Sequence, residues 1–235
     1  MKRLITEIST LQTCLPEGIF VRHSNSRLDV LKILIIGPKD TPYEYGFFEF
    51  DLFCPLDYPQ SPPKLQFRTT NNGRVRFNPN LYECGKVCLS LLGTWDGEPW
   101  RPKTSTLLQV LVSTQSMILC EQPWYNEPGR ERVPGQEQSD EYNLEVRYWT
   151  LQHAILPWVN AFNASNPDPQ HVMACLGWGQ CWGDVVQTHL IANAHEIYSS
   201  NLKVAQVAGD SRKGRDLHNS LLNMRSALAK HGYLT

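Results

Sequence analysis

The residues best suited to chemistry lie in one irregular segment, NPNLYECGKVCLSLL, which spans residues 78–92 and is called the active segment below. It contains Cys88. A cysteine thiolate is a strong nucleophile, and a thioester formed on it stays reactive toward amines. Seven cysteines are scattered along the chain without a secretory signal, which favours reduced thiols. Cys88 is therefore a candidate nucleophile, and a buried structural cysteine is the alternative that its residue type allows.

A side-chain amide accompanies this thiol. Asn80 ends the triplet Asn78-Pro79-Asn80 at the start of the active segment. Its amide can donate a hydrogen bond to the oxyanion that forms when an amine attacks a thioester. The same amide can instead hold the loop by bonding to backbone groups, and both roles stay open.

Other kinds of chemistry find little support in the sequence. A zinc site needs paired cysteine or histidine ligands, and Cys84 and Cys88 have no matching second pair. No glycine-rich phosphate loop is present, so we expect neither a metal nor a cofactor. The formal net charge of -1 gives no field of one sign that would favour nucleic acid or an anionic membrane.

Helical periodicity marks the start of the chain. Apolar residues recur at helical spacing over residues 1–13, which predicts an amphipathic helix. Glu7 and Ser9 interrupt the apolar run that a signal peptide needs, and no run of about 18 apolar residues predicts a membrane span. We expect a cytoplasmic or nuclear chain.

Strand-like patterns follow this helix. Two β-rich runs within residues 18–36, then FFEFDLFC and KLQFRTT, are separated by turns marked with proline and glycine. They predict a four-stranded antiparallel meander. After the active segment, TSTLLQVLVSTQSMIL predicts a helix, EQPWYNEPGRERVPGQEQSDE predicts a loop, and helical patterns resume from Tyr142. The order predicts an α+β fold in which helices are segregated from the sheet.

Taken together, these segments resemble the ubiquitin-conjugating enzymes, the family with the UBC fold. PYEYGFFEFDLFCPLDYPQSPPKLQF is similar to the family's meander, and the active segment is similar to the one in which a His-Pro-Asn triplet precedes the acceptor cysteine. The resemblance runs from Lys2 to Tyr148. GKVCLSLLGTW and EQPWYNEPG are most similar to large members that combine conjugating and ligase activities. It implies a UBC core domain over residues 1–150 and a C-terminal helical extension over residues 151–235.

The resemblance also implies a reaction. Cys88 would accept ubiquitin as a thioester from an activating enzyme, which spends the ATP, and would pass it to a substrate lysine with ligase-like selection of its own. Asn78 stands where the family has a loop-organising histidine, and an asparagine can donate one of the same local hydrogen bonds. Glu127 stands where the family often has an acidic residue near the incoming lysine. It would orient that amine or accept its proton, and a solvated loop charge is the alternative.

Partner surfaces follow from the same resemblance. Lys2 and Arg3 on the first helix would contact the activating enzyme. Ligases of the RING type grip two loops in this family, here YPQSPP with Gln60 and PWRPKTS with Pro102. Gln60 replaces an apolar anchor, and such anchors supply much of the energy at a contact of this kind. This replacement counts against ordinary RING pairing and favours an enzyme that selects substrates itself.

Three further readings stay open at this stage. A non-catalytic ubiquitin-binding scaffold is one, although Cys88 in an otherwise intact segment counts against it. A conjugating enzyme for another ubiquitin-like modifier is the second. The third is a pure interaction module of the related fold without chemistry. A separate open point concerns Cys84, which could form a redox-sensitive disulfide with Cys88 or could simply be a tolerated small residue.

Overall fold

The computed structural model describes residues 2–24, 26–132, 135–162 and 182–230. The chain divides into two compact units, residues 1–140 and 141–235. This division is ten residues earlier than the predicted domain boundary at residue 150, which stays a prediction. None of the helices within the described ranges is long and apolar enough to cross a membrane. Two cysteines, Cys175 and Cys181, lie outside the described residues.

The first unit begins with one helix, which is followed by a single sheet. Its four strands are antiparallel, and they lie side by side in the order β1-β2-β3-β4. The predicted N-terminal helix, the four-stranded meander and the α+β class are therefore confirmed. The elements are α1 (Lys2–Cys14), β1 (Ile19–Ser24), β2 (Arg27–Ile36), β3 (Phe47–Phe53) and β4 (Lys64–Phe67).

The inner face of the sheet reaches the active segment through aromatic rings. Side chains alternate across a strand, so every second residue of β3 and β4 enters the core. Phe48 of β3 and Phe67 of β4 each meet Phe77 edge-on, with ring centroids 5.3 and 5.9 Å apart. Phe77 is fully buried and directly precedes Asn78. The start of the active segment is thus anchored in the hydrophobic core.

A buried carboxylate joins α1 to the helix that follows the active segment. Glu7 is 5% exposed and accepts hydrogen bonds from Arg3 Nε at 2.5 Å, Tyr58 Oη at 2.7 Å and the Leu107 backbone N–H at 2.6 Å. Leu107 begins α2 (Leu107–Ser113), where the helix dipole favours negative charge. Burial and the bond to Glu7 raise the pKa of Tyr58, so this hydroxyl stays a donor.

Helices dominate the rest of the chain. Thr106 and Gln109 form a capping box at the start of α2, which continues as a π-helical turn, Thr114–Ile118. The structure then differs from the prediction of a loop up to Glu141, because α3 begins at Gln136. The backbone hydrogen bonds of α3 start where Ser139 N–H donates to the Gly135 carbonyl. The residues between them, two glutamines and Glu137, are good helix formers.

The second unit is entirely helical in the residues described. Trp158 and Trp182 are both buried in it, at 3% and 1% exposure. Helix–helix contacts join its elements through apolar side chains that recur every three to four residues. After α3 (Gln136–Trp149) and a π-helical turn (Thr150–Ile155), the helices are α4 (Leu156–Phe162), α5 (Gly183–Ala208) and α6 (Arg212–Lys230).

Candidate active site

A short hairpin brings Cys88 to the edge of the sheet. Leu81 and Val87 form an antiparallel bridge, and Gly85 turns the chain between them with φ of 87°. The Gly85 carbonyl accepts from Phe67 N–H at 2.8 Å, which joins the hairpin to β4. A Cβ at Gly85 would lie only 2.6 Å from the Phe67 carbonyl oxygen. The positive φ and this close approach both require glycine, and together they set the position of the residues that follow.

Asn80 and Thr94 hold the backbone on either side of the thiol. The Cys88 N–H donates to the backbone carbonyl of Asn80 at 2.9 Å, and the Cys88 backbone carbonyl accepts from the side-chain Nδ2 of Asn80 at 2.8 Å. On the other side, the Thr94 hydroxyl donates to the Val87 carbonyl at 2.7 Å and accepts from Leu89 N–H at 3.0 Å. Thr94 carried no signal in the sequence, since its role depends on the chain folding back.

Cys88 is less exposed than the sequence predicted. Only 2% of its surface is accessible, whereas we expected a thiol at a shallow surface. The segment between Leu92 and Trp100, called the insertion below, folds back over the active segment. A Cβ placed on Gly97 of that insertion would lie 3.2 Å from the Ser90 Cβ.

Cys88 nevertheless lines a large groove. The groove has a volume of about 1050 Å³ and contains Asn80 in its lining as well as Cys88. The insertion supplies part of the wall, and α2 with the loop after it supplies another part. The lining from these two regions includes Trp95, Asp96, Glu98, Gln109, Met117 and Tyr125. The candidate nucleophile and the candidate oxyanion donor therefore share one cavity.

Asn78 uses the full hydrogen-bonding capacity of its amide. It is completely buried, and its Nδ2 donates to Tyr43 Oη at 2.8 Å and to the Ile118 carbonyl at 2.7 Å. Its Oδ1 accepts from Asn80 N–H at 2.8 Å and from Asn126 Nδ2 at 3.3 Å. The sequence predicted one local hydrogen bond from this residue. The structure shows four, which join the active segment to α2 and to the loop carrying Asn126.

Replacing Asn78 with alanine is expected to lower the free energy of unfolding by about 2–4 kcal/mol, because all four hydrogen bonds of a fully buried amide are lost at once. Urea denaturation would measure this loss. Gln60→Ala, which removes an exposed amide, should change the free energy by no more than about 0.5 kcal/mol. Equal stability of the two variants would contradict the organising role of Asn78.

The structure shows that the Asn80 side chain holds the loop that carries Cys88. Its amide is 8% exposed, and one of its N–H groups holds the Cys88 carbonyl. Its Oδ1 accepts no hydrogen bond from any described residue. The amide carries a second N–H, and Asn80 lines the groove. The predicted role toward an oxyanion stays a prediction that this placement allows.

Glu127 forms an ion pair and lies outside the described lining of the groove. Its Oε2 lies 3.6 Å from Arg76 Nη2, and Glu127 is absent from the described lining, although Asn126 and Pro128 belong to it. Arg76 also donates to the Pro79 carbonyl at 2.7 Å. Arg76 thus links the active segment to the loop that carries Glu127, a role that no sequence pattern indicated. The predicted amine-orienting role of Glu127 stays a prediction.

The other described cysteines have different surroundings. Burial raises the pKa of the Cys54 thiol to about 12 and also raises the pKa of Cys120, which disfavours both thiolates. Cys84 is exposed near the hairpin turn, and both it and Cys88 are free thiols. A disulfide between them stays a prediction. Within the described ranges, no three His, Cys, Asp or Glu side chains form a group able to hold a metal ion.

The predicted partner surfaces lie on two parts of the first unit. Lys2 is exposed, while Arg3 pairs with Glu7 and donates to the Ser105 carbonyl at 2.8 Å. Arg3 thus already stabilises the junction between α1 and α2. Its predicted contact with an activating enzyme, like that of Lys2, stays a prediction.

The two predicted ligase loops are adjacent. Trp100 Nε1 donates to the Pro59 carbonyl at 2.7 Å, which ties the loop containing Pro102 to the loop containing Gln60. Gln60 is exposed and Pro102 is half-buried. The polar character of Gln60 at this surface agrees with weak pairing to ligases that need an apolar anchor, and the contact itself stays a prediction.

The chain is similar to known proteins along most of its length. The family model described as "Ubiquitin-conjugating enzyme" matches residues 3–150. The human "Dual E2 ubiquitin-conjugating enzyme/E3 ubiquitin-protein ligase BIRC6" is 41% identical over 98% of this chain, which covers 5% of that protein. The Caenorhabditis elegans "Probable ubiquitin-conjugating enzyme protein 17" is 50% identical over 66% of the chain, which covers 22% of it. The Arabidopsis thaliana "Putative ubiquitin-conjugating enzyme E2 38" is 41% identical over 84% of the chain, which covers 56% of it.

Proposed function

The chain belongs to the ubiquitin-conjugating enzyme family, and from that premise we propose that Cys88 accepts ubiquitin from an activating enzyme and transfers it to a substrate lysine. The observation that supports this most is the groove shared by Cys88 and Asn80. Its volume is at the upper end of the range typical of ligand sites, which suits an extended polypeptide tail.

The proposed reaction exchanges one thioester for another and then for an amide. The Cys88 thiolate attacks the carbonyl of the thioester on the activating enzyme, a new S–C bond forms, and the activating enzyme's thiolate leaves. A lysine amine then attacks the same carbonyl. The tetrahedral intermediate collapses with loss of the Cys88 thiolate, while the amine proton passes to a base. Neither step changes an oxidation state, so no redox cofactor is needed.

Two neighbouring groups have proposed parts in this transfer. The second N–H of Asn80 donates to the oxyanion of the tetrahedral intermediate, while the first continues to hold the Cys88 carbonyl. Glu127 orients the incoming amine or accepts its proton, after exchanging its exposed ion pair with Arg76. Such an exposed pair is worth little, so the exchange is energetically accessible.

Substrate and partner selection form the second part of the proposal. Lys2 and Arg3 contact the activating enzyme, and the loops of Gln60 and Pro102 form the surface toward ligases. The name of the human relative includes a ligase activity. This name and the polar Gln60 support an enzyme that selects substrates with little help from a separate RING ligase.

Two alternatives are retained. The modifier could be another ubiquitin-like protein, since nothing in the groove excludes one. A non-catalytic, ubiquitin-binding scaffold is the other alternative, and the 2% exposure of Cys88 is the observation that favours it.

A charging panel tests the proposal. The protein is incubated with ATP and modifier, using the activating enzyme specific to ubiquitin or to each related modifier, and is run on non-reducing gels. We expect an adduct with ubiquitin that disappears on thiol treatment, and no adduct when ATP is omitted. Transfer to a substrate should then proceed without an added ligase.

Two other outcomes of this panel have defined meanings. Charging with a different modifier alone would replace ubiquitin in the proposal. Absence of charging with every modifier, together with resistance of Cys88 to alkylation, would favour the scaffold.

A further inference from the structure

Among the described residues, four hydrogen bonds hold the two peptide planes that flank Cys88. In the plane before it, the Val87 carbonyl accepts from the Thr94 hydroxyl at 2.7 Å. The Cys88 N–H of the same plane donates to the Asn80 backbone carbonyl at 2.9 Å. In the plane after it, the Cys88 carbonyl accepts from Asn80 Nδ2 at 2.8 Å, and the Leu89 N–H donates to Thr94 Oγ1 at 3.0 Å. Asn80 and Thr94 thus each hold both planes.

These bonds determine the direction of the Cys88 side chain. A peptide unit is planar, so the only soft backbone torsions at a residue are the φ and ψ angles that relate its two planes. When both planes are held, φ and ψ of Cys88 are held as well, and its Cα–Cβ bond has one direction. The sulfur then moves only by rotation about χ1, between staggered rotamers. Thr94 supplies two of the four bonds that impose this constraint.

A single tight turn brings Thr94 back to the peptide planes that it holds. After Cys88 the chain forms the 3₁₀ turn Ser90–Leu92 and reverses at Gly93, whose φ is 68°. The Thr94 N–H then donates to the Leu89 carbonyl at 3.3 Å. The position of Thr94 is therefore set by its own backbone, and its hydroxyl adds the bonds to the planes around Cys88.

A hydroxyl suits this position because it donates and accepts at one atom. Thr94 Oγ1 shares its proton between the Val87 carbonyl and the Leu89 carbonyl, which lies at 3.2 Å, and it accepts from the Leu89 N–H. Valine has the shape of threonine without the hydroxyl, so it would leave these backbone groups without this partner, whereas serine would keep it. Thr94 is exposed, and either substitution therefore removes little apolar packing.

We propose that Thr94 is a positioning residue of the transfer reaction, because its hydroxyl fixes the direction in which Cys88 presents its thioester to the groove. This inference rests on the proposed function of Cys88. Thr94 and Cys88 both line the groove, so the constraint acts where the amine must arrive. A misplacement of about 1 Å in the reacting groups can lower a rate by about 10²-fold. The hydroxyl therefore contributes to the rate of transfer.

Single-turnover discharge of the charged enzyme to free lysine tests this role. The rate constant should fall by roughly 10- to 100-fold in Thr94→Val, because the thioester is no longer held in one direction. It should stay within about threefold of the wild type in Thr94→Ser, which retains the hydroxyl. The rate constant is measured on molecules that already carry the modifier. A smaller folded fraction would therefore lower the amount of adduct and leave the rate constant unchanged.

Thr104 offers a matched control for the loss of a hydroxyl in the same cavity. It is exposed and lines the groove, as Thr94 does. Its hydroxyl has no hydrogen-bond partner among the described residues. Thr104→Val makes the same chemical change without releasing any backbone group near Cys88. Discharge in this variant should stay within about twofold of the wild type.

Alkylation of the uncharged protein gives a test that does not depend on thioester formation. Cys88 is 2% exposed, so iodoacetamide reaches its sulfur only when the segment opens locally. Loss of the Thr94 hydroxyl removes bonds that oppose this opening. Alkylation mapped to Cys88 should therefore become roughly five- to tenfold faster in Thr94→Val. It should stay within about twofold of the wild type in Thr94→Ser and in Thr104→Val.

The two measurements together decide the inference. Slower discharge and faster alkylation in Thr94→Val, with values close to the wild type in Thr94→Ser, would support it. Discharge of Thr94→Val at the wild-type rate, an equal loss in Thr94→Val and Thr94→Ser, or unchanged alkylation in Thr94→Val would overturn it. Failure of the wild type to charge would contradict the proposed function instead, and the alkylation rates would then show whether Thr94 holds Cys88.

Discussion

Cys88→Ala is expected to abolish the modifier adduct, and Cys88→Ser is expected to trap it as an oxygen ester that resists thiol treatment. Removing a nucleophile usually lowers turnover by many orders of magnitude, so transfer to lysine should fall by roughly 10³-fold or more in either variant. The serine ester should persist because an alkoxide is a poorer leaving group than a thiolate. Non-reducing gels with and without thiol, followed over time after adding lysine, measure both effects.

Cys84→Ser provides the matched control for this result. Cys84 is the exposed thiol nearest in sequence, and it is absent from the described lining of the groove. Its replacement should leave a thiol-sensitive adduct of normal abundance. A thioester that survives in Cys88→Ala and disappears in Cys84→Ser would move the nucleophile to the hairpin turn.

Asn80→Ala is expected to slow discharge to lysine by about 10²-fold, because one oxyanion donor is commonly worth 10²–10³-fold in rate. The same substitution also removes the hydrogen bond to the Cys88 carbonyl. Loss of one such bond should lower the free energy of unfolding by only about 1–2 kcal/mol, so the variant should remain folded. Single-turnover discharge of the charged enzyme measures the rate, and urea denaturation measures the stability.

Comparing the rate of discharge with the loss of stability separates the two roles of this amide. In Asn80→Asp the side chain keeps nearly the same shape but, when ionised, has no proton to donate to an oxyanion or to the Cys88 carbonyl. Both variants should therefore discharge slowly if the amide stabilises the oxyanion. Discharge within about threefold of the wild type in Asn80→Ala, with the stability loss present, would limit Asn80 to holding the loop.

The sequence was sufficient to predict the elements that surround the site. The four strands and the first helix each carry a local pattern of apolar spacing, with prolines and glycines marking the turns between them. Sequence alone also identified Cys88 and Asn80 as the candidate pair, since residue types in a short segment carried that information. The structure places both residues in one groove.

Contacts distant in sequence account for what sequence alone missed. Cys88 is buried in the folded chain, in which the insertion folds back over the active segment and Gly97 approaches Ser90. The hydroxyl of Thr94 and the guanidinium of Arg76 hold the active segment, but they come within reach of their partners only in the folded chain. No local pattern distinguishes these residues from exposed polar ones.

The role of Asn78 was predicted from the sequence, but most of its hydrogen-bond partners were not. The triplet identified it as the residue that organises the loop, and the type of side chain predicted a hydrogen bond. Its four partners come from the β2–β3 connection, the end of α2, the active segment and the loop after α2. Only the tertiary arrangement brings these groups within reach of a single buried amide.

The most direct test of the central claim is the intact mass of the protein after reaction with activating enzyme, ubiquitin and ATP, with the modified residue mapped by peptide mass spectrometry. We predict a gain of one ubiquitin less one water, located on Cys88 and reversed by thiol treatment. An unchanged mass, or an adduct mapped to another residue, would contradict the assignment of Cys88 as the carrier.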